Sequence, residues 1–287
     1  MKKLSVYIDL IKYKLSIAVV LSSVTGYLIC GNDIFHSLFW LSGGVFFLAA
    51  GAAVLNQYSE RTTDLLMNRT KGRPIPSGVI SEKKALFLAF FLLCAGMLFL
   101  LQNGVLPFAL GIFNVILYNL VYTRLKRITV LSIIPGGLVG AIPPMIGYSS
   151  AGGSLSDLNI IAFSLFMFLW QVPHFWLIIA KYGEEYRNAG LATISSYLTN
   201  LQIRKLVFAW VVISSLLLLV FFSITDVFGR QFLIPFSLLN IGFILLFYRN
   251  LFGSKEPGEV KRAMILINSY GILIMLLLIV SSEVHLF

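Results

Sequence analysis

A polar face in an otherwise apolar chain carries the ligand types of a hard cation. Asn56, Glu60 and Asp64 follow one another at intervals of four residues, so a helix would align their oxygen-bearing side chains along one face. Carboxylate and amide oxygens suit Mg²⁺, which takes one or two carboxylates from a protein and fills its other positions with water and substrate phosphates. The spacing therefore indicates a Mg²⁺ site.

Basic residues follow this face directly, at Arg69, Lys71 and Arg73. A guanidinium fits phosphate oxygens as a flat fork, and a lysine adds a point charge. Acidic residues followed by basic ones at a helix end suggest a metal-bridged diphosphate. A solvated loop with ordinary topology-determining charges is the alternative that spacing alone leaves open.

A second acidic cluster lies between residues 181 and 190, where Glu184 and Glu185 precede Arg187. Two acidic clusters from separate helix ends could share a diphosphate between two metal ions as pyrophosphate leaves. A simple helix-end charge cluster explains this stretch equally well.

Polar and aromatic residues interrupt one long apolar segment. Gln171 and His174 are three residues apart on roughly one helical face, next to Trp170, Pro173 and Trp176. A lone histidine among apolar residues is more often a helix-contact residue than a ligand. The combination with glutamine, proline and tryptophan favours a functional pocket, since polar groups inside membrane segments face the bundle interior.

Two further stretches place basic residues beside apolar segments. Lys12 and Lys14 begin the first one. For Lys12, snorkelling to the lipid headgroups is favoured over ligand contact, and for Lys14 both explanations stay open. The fourth segment ends in basic residues that a topology signal explains, but that signal does not explain the interleaved Tyr118, Asn119 and Tyr122.

Composition requires a membrane to position these residues. Hydrophobic residues make up 58% of the 287, and the mean hydropathy is +0.90, which excludes a soluble protein and predicts a polytopic membrane protein. The net charge of +10 indicates membrane orientation rather than nucleic-acid binding. No cleavage pattern follows the first apolar segment, so we expect it to be retained. The N-terminal stretch does not resemble an arginine-rich transit peptide either, which favours a prokaryotic plasma membrane over an organelle.

Apolar windows predict an all-α protein with nine spans. They fall near residues 14–31, 37–57, 84–103, 105–123, 129–148, 158–180, 206–225, 231–249 and 262–281. The short connection Gln102–Gly104 predicts a helical hairpin between the third and fourth. Glycines and prolines in the fifth span predict close helix approach and a broken or kinked helix that lines a cavity, and Pro173 interrupts the hydrogen-bond ladder of the sixth.

The distribution of basic residues predicts the orientation. With nine spans, 21 of the 22 lysines and arginines fall on the side of the N-terminus, and Arg230 alone falls on the other. The positive-inside rule therefore predicts a cytoplasmic N-terminus. The acidic face, the basic stretch after the fourth span and the second acidic cluster then all face the cytoplasm.

These motifs resemble those of the UbiA-type intramembrane prenyltransferases over nearly the whole chain, as a single domain of residues 1–287. The family's Asn-x3-Asp-x3-Asp motif is matched by Asn56, Glu60 and Asp64, and its Arg-Thr-x-x-Arg-Pro motif by residues 69–74. Residues 122–127, 136–144 and above all 170–175 are similar to the branch of the family that farnesylates haem. Quinone-making relatives lack the last of these motifs.

The resemblance implies a UbiA-type bundle and transfer of a farnesyl group from farnesyl diphosphate to a vinyl group of haem b, giving haem O and pyrophosphate. It implies that Mg²⁺ and the diphosphate are held by Asn56, Glu60, Asp64 and Glu185. It implies that phosphates are bound by Arg69, Arg73 and Lys126, with Lys14 where many relatives have arginine. His174 would contact the haem, and substrate contacts would come from Tyr122, Trp170, Gln171, Glu184 and Arg187.

The resemblance also implies partners and leaves two alternatives. A haem A synthase or a terminal-oxidase assembly factor would be a protein partner, and no nucleic acid is expected. The second acidic motif departs from the family pattern, because Glu185 replaces aspartate and the prolines that usually follow are missing at residues 191–194. A prenyltransferase for an aromatic or quinone precursor, or a haem-handling transporter, would use a similar apolar bundle.

Overall fold

A computed structural model describes residues 2–31, 35–225, 233–253 and 258–284. Over these residues the protein is helical, without strands. The helices are α1 (Lys2–Leu10), α2 (Tyr13–Ile29), α3 (Phe35–Leu65), α4 (Glu82–Leu101), α5 (Val105–Ile116), α6 (Thr123–Leu125), α7 (Ile133–Ser150), α8 (Leu158–Asn188), α9 (Asn200–Ile224), α10 (Leu233–Phe252) and α11 (Glu259–Val284). Arg230 and Lys255, which enter the charge count, lie outside the described residues.

Eight helical stretches of the described chain are long and apolar enough to cross a membrane, so the protein is a multi-pass membrane protein. They match the second to ninth predicted spans. The segment predicted as the first span is the shorter helix α2, with 17 residues. The count of nine spans and the side of the N-terminus therefore stay predictions.

Close helix approach in the fifth predicted span is confirmed. A Cβ atom added at Gly147 of α7 would lie 1.8 Å from the carbonyl oxygen of Ser23 on α2, and one at Gly26 of α2 would lie 2.1 Å from that of Pro144. Only glycine allows two backbones to come this near. The hairpin of α4 and α5 is confirmed too, with Gly104 at φ 115° completing the turn.

The helices are not broken at their prolines, so that part of the prediction is wrong, and the kink stays a prediction. Helix α7 continues through Pro143 and Pro144, and α8 continues through Pro173. All three prolines are buried, and packing by neighbouring helices can offset the lost backbone bonds. The non-helical residue inside α8 is Tyr182, at φ −123° and ψ 16°.

A π-helix, Leu117–Tyr122, joins α5 to α6. The hydroxyl group of Thr123 donates to the carbonyl oxygen of Tyr118 over 2.8 Å. A π-bulge shifts the side chains that follow it around the helix axis, and such bulges are frequent at functional sites. The π-helix therefore sets the positions of Tyr118, Tyr122 and Lys126 relative to α3.

Candidate active site

A cavity of about 490 Å³ lies among α2, α3, α5, α7 and α8. Helix α7 packs against both α5 and α8, so it stands between two sides of the cavity. Nine of the residues predicted for the site line it, and the structure therefore brings them together: Asn56, Glu60, Asp64, Arg69, Arg73, Tyr122, Lys126, Gln171 and His174.

The polar end of this cavity is built on the predicted face of α3. Asn56, Glu60 and Asp64 are 3%, 4% and 1% exposed. The Asp64 Oδ2 atom accepts a hydrogen bond of 2.7 Å from Nη1 of Arg73, and Glu60 forms an ion pair with Lys126. The other carboxylate oxygen, Asp64 Oδ1, is buried without a hydrogen-bond partner. The end thus combines buried acceptors with basic groups.

Asn56 is oriented by the helix across the cavity. Its Nδ2 atom donates to the hydroxyl oxygen of Thr123 over 3.1 Å. Its Oδ1 atom accepts from Nζ of Lys12 over 3.4 Å. With the amide nitrogen bonded to Thr123, the amide oxygen is the atom left to meet a cation or a basic group.

Lys12 belongs to the polar end, so the snorkelling favoured for it from the sequence is wrong. It adopts the left-handed conformation at φ 47° between α1 and α2, and it lines the cavity. Burial and the neighbouring charge of Arg73 lower the pKa of Lys12 to about 8. Lys14, in contrast, is exposed and does not line the cavity; its Nζ lies 5.9 Å from the ring centre of Tyr13.

The second acidic cluster meets the basic loop and not the carboxylates of α3. Oε2 of Glu185 accepts from the backbone N–H of Arg69 over 3.2 Å, and Nη2 of Arg69 donates to the hydroxyl group of Tyr186 over 3.0 Å. Glu184 is 89% exposed at its side chain and lies 4.0 Å from Arg187. Glu184, Glu185 and Arg187 do not line the cavity.

The expected set of four metal ligands is therefore not assembled as a group. No cluster of three or more histidine, cysteine, aspartate or glutamate side chains suited to a metal ion occurs among the described residues. What the structure does assemble is one amide and two carboxylates on α3. Magnesium needs no more than this from a protein when a diphosphate supplies further oxygens.

The side formed by α8 contains Gln171, His174 and Phe175. His174 is hydrogen-bonded to Asn268 of α11, and its Nδ1 atom is buried without a partner. Trp170 does not line the cavity: it is 5% exposed and packs on Tyr270, with ring centres 5.4 Å apart. The expectation of substrate contact by Trp170 is thus wrong, and Trp176 lines the cavity instead.

Two aromatic rings stand between the polar end and the α8 side. Tyr118 and Tyr122 are stacked, with centroids 5.8 Å apart and an interplanar angle of 12°, and the Tyr122 ring lies 5.7 Å from that of Phe175. A Cβ atom at Gly136 would come within 2.9 Å of the Tyr122 ring. The missing side chain at Gly136 therefore leaves the space that Tyr122 occupies.

The side opposite α8 is apolar. We call it the apolar arm, and it consists of Val19, Val45, Leu48, Ala49, Ala52, Gly111, Asn114, Val115 and Ile146. Its one polar member, Asn114, has a buried Oδ1 atom without a partner. The sequence reasoning did not single out Asn114, although an amide within a membrane span is an available signal.

A comparison of the sequence with family models matches residues 19–270 to the UbiA prenyltransferase family. The chain belongs to this family. Among its members, the protoheme IX farnesyltransferase of Flavobacterium johnsoniae is 32% identical over 296 residues, covering 97% of this chain and 95% of that relative. The protoheme IX farnesyltransferase of Geobacter sulfurreducens is 40% identical over 186 residues, covering 64% and 68%.

Solved UbiA structures have the same fold. A UbiA homolog from Aeropyrum pernix K1 in its apo form superposes with a TM-score of 0.80 at 16% identity, covering 96% of this chain and 99% of that one. A UbiA homolog from Archaeoglobus fulgidus bound to GPP and Mg²⁺ gives 0.73 at 16% identity, covering 96% and 99%. At these identities the likeness concerns the fold alone.

Proposed function

We propose that this protein transfers the farnesyl group of farnesyl diphosphate to a vinyl group of haem b, producing haem O and pyrophosphate. The observation that carries the proposal is the single cavity that joins the carboxylates and cations at its polar end to an apolar arm and to His174 on the α8 side. The naming of relatives as protoheme IX farnesyltransferases supports this choice of substrates.

The polar end fits Mg²⁺, because it contains a buried carboxylate oxygen, Asp64 Oδ1, that has no hydrogen-bond partner, beside the amide of Asn56 and the carboxylate of Glu60. These three side chains would hold the ion. When bound, Mg²⁺ neutralises negative charge on the diphosphate and so makes it a better leaving group. Glu185 would act on the same site through the backbone of Arg69, which it holds in place.

The basic residues of the cavity would bind the diphosphate. Arg73, Lys126, Lys12 and Arg69 all line the polar end, and each can donate to phosphate oxygens. They would hold the allylic carbon at the entrance of the apolar arm. The carbon–oxygen bond breaks there, its electron pair leaves with pyrophosphate, and the rings of Tyr118 and Tyr122 are placed to stabilise the allylic cation.

The acceptor would bind beside α8. The vinyl π electrons form the new carbon–carbon bond, and the cation left next to the porphyrin ring takes a hydroxyl group from water with release of one proton. The apolar walls keep water from the allylic cation before this bond forms. His174, with Nδ1 unpartnered, is the side chain best suited to contact the haem.

The setting of the reaction is part of the proposal. We propose nine spans with a cytoplasmic N-terminus in a prokaryotic plasma membrane, which places the polar end at the cytoplasmic side, where a water-soluble diphosphate head enters. A haem A synthase or an oxidase assembly factor would take up the product.

The deciding experiment is mass spectrometry of haems extracted from membranes that contain the protein or its Asp64→Ala variant. The expected result is a hydroxyethylfarnesyl haem that forms with the unaltered protein and is lost in the variant. Unchanged haem b beside a prenylated aromatic lipid would move the assignment to a quinone-type prenyltransferase. The absence of both products would contradict prenyl transfer and favour haem transport.

A further inference from the structure

The apolar arm ends inside the protein. On each helix that borders it, the lining residue farthest from the polar end is Val19 of α2, Val45 of α3, Gly111 of α5 or Ile146 of α7. Behind these positions lies a packed cluster that includes Leu41 and Leu100. Leu100 and Leu41 are 0% exposed, so the cluster closes the arm with tightly packed side chains.

Leu48 holds a special position at this closed end. A Cβ atom on Gly111 would come within 2.8 Å of Leu48 Cδ1 and 2.6 Å of Leu100 Cδ1, and one on Gly96 of α4 within 2.7 Å of Leu48 Cγ. The Leu48 side chain therefore fills a space between two glycines that have no side chains of their own. Its removal would extend the arm toward Leu100.

The length of the arm can be compared with isoprenoid chains. Asn56 and Val45 are eleven residues apart on α3, which is about 16 Å at the rise of an α-helix. An extended farnesyl chain is about 14 Å long and a geranylgeranyl chain about 19 Å, from the projected length of carbon–carbon bonds. The arm accommodates three isoprene units. A fourth would have to displace Val45 or the side chain of Leu48, because a helical side chain leans toward the helix N-terminus and that of Leu48 therefore extends toward the level of Val45.

We propose that Val45, Leu48 and Gly111 form a floor that sets the maximum prenyl chain length, with Leu48 as the main determinant. Ala49, one turn closer to the polar end than Val45, leaves room for the third isoprene unit. This inference rests on the proposed function, because it assigns the apolar arm to the prenyl chain. It adds the residues that select farnesyl diphosphate over longer donors.

Two substitutions test the floor in opposite directions. Leu48→Ala is expected to raise the ratio of geranylgeranyl to farnesyl transfer about tenfold, the scale at which apolar pockets discriminate a few carbon atoms. Ala49→Phe, which adds bulk above the floor, is expected to shift preference from farnesyl to geranyl diphosphate by about tenfold. Leu218→Ala, in the core cluster around α9, is the matched control and is expected to leave both ratios unchanged.

Measuring the binding of donor analogues tests this inference independently of the proposed reaction. The affinities of detergent-solubilised protein for geranyl, farnesyl and geranylgeranyl thiodiphosphate with Mg²⁺, measured by calorimetry, report on the floor without any acceptor. A loss of discrimination against the longest analogue in Leu48→Ala supports the floor even if haem proves not to be the acceptor. Equal affinities of the unaltered protein for all three analogues, or equal shifts in Leu218→Ala, would overturn it, and farnesyl transfer to haem could still stand.

Discussion

Asn240 in the bundle of α9, α10 and α11 and Asp64 at the polar end of the cavity are both buried polar residues, but their side chains are satisfied differently. In the bundle, Asn240 is 0% exposed, its Nδ2 atom donates to the carbonyl oxygen of Ser215 over 2.9 Å, and its Oδ1 atom accepts from the hydroxyl group of Tyr270 over 2.8 Å. In the cavity, Asp64 Oδ1 and His174 Nδ1 are buried without partners.

The difference separates structural from functional polarity in a membrane bundle. A paired amide lowers the cost of burial and fixes how helices meet. An unpaired carboxylate oxygen raises that cost, and where it lines a cavity beside basic groups, a bound cation explains its presence. Substitutions in the two regions should accordingly change different measured quantities.

The largest expected effect is on Asp64. Asp64→Asn keeps the shape but removes the charge, and we expect prenyl transfer to fall by about 10³-fold, the scale of losing one group that stabilises developing charge. The thermal midpoint in detergent should stay nearly unchanged. Glu82→Gln, at the 52% exposed carboxylate paired with Arg61, is the control and should keep full activity. A large loss of stability in Asp64→Asn would place Asp64 among the structural groups.

The next effect is on Asn240. Asn240→Ala leaves the Tyr270 hydroxyl group without its acceptor, and we expect a loss of about 1–2 kcal/mol in the free energy of unfolding. Thermal unfolding in detergent measures it, while the rate per folded molecule should be retained. Asn250→Ala on the same helix, where the side chain donates to the backbone of its own helix, should cost less. A selective loss of catalysis in Asn240→Ala would contradict the assignment of Asn240 as a structural rather than a functional polar group.

A smaller effect is expected at Thr123, which orients Asn56. Thr123→Val keeps the shape but removes the acceptor for the amide, and we expect prenyl transfer to fall about tenfold, as for one lost hydrogen bond of ordinary strength. The Mg²⁺ concentration for half-maximal rate should rise with it. Thr123→Ser should restore both values, whereas failure of serine to restore them would assign the loss to packing.

The smallest effects concern the acidic pair of α8. Glu185 holds the backbone of Arg69, so Glu185→Gln should lower the rate a few-fold, about the cost of weakening one charge-assisted hydrogen bond. Glu184 is exposed, and Glu184→Gln should leave the rate within about twofold, as for other surface charges. Steady-state kinetics of both variants tests this. Equal losses in the two would restore the view that they bind the diphosphate together.

Much of the site was predictable because its signals are local. The four-residue spacing of Asn56, Glu60 and Asp64 puts them on one face of any helix. The scarcity of polar side chains inside apolar spans made Gln171 and His174 stand out, whereas Lys126 was assigned a role only through the family resemblance. The apolar runs that specify helices and a membrane need no knowledge of neighbouring segments.

The errors arose where packing between segments decides. Lys12 faces the cavity because it adopts the left-handed conformation itself, between α1 and α2. The spacing of residues in the sequence does not reveal this conformation. Trp170 and Trp176 have the same chemistry, and only the positions of α10 and α11 place Trp170 in the core. The prolines did not break their helices, because the packing of neighbouring helices offsets the lost backbone bonds.

The sequence by itself determined the helices, the membrane setting, the family and the polar face of α3, since each follows from composition or from spacing along one segment. Only the tertiary structure decided which groups meet across the cavity. It pairs Glu60 with Lys126, lets Thr123 orient Asn56 and closes the apolar arm at Leu48 and Gly111. These contacts depend on how helices distant in the chain pack, and packing is settled by the shapes of many side chains at once.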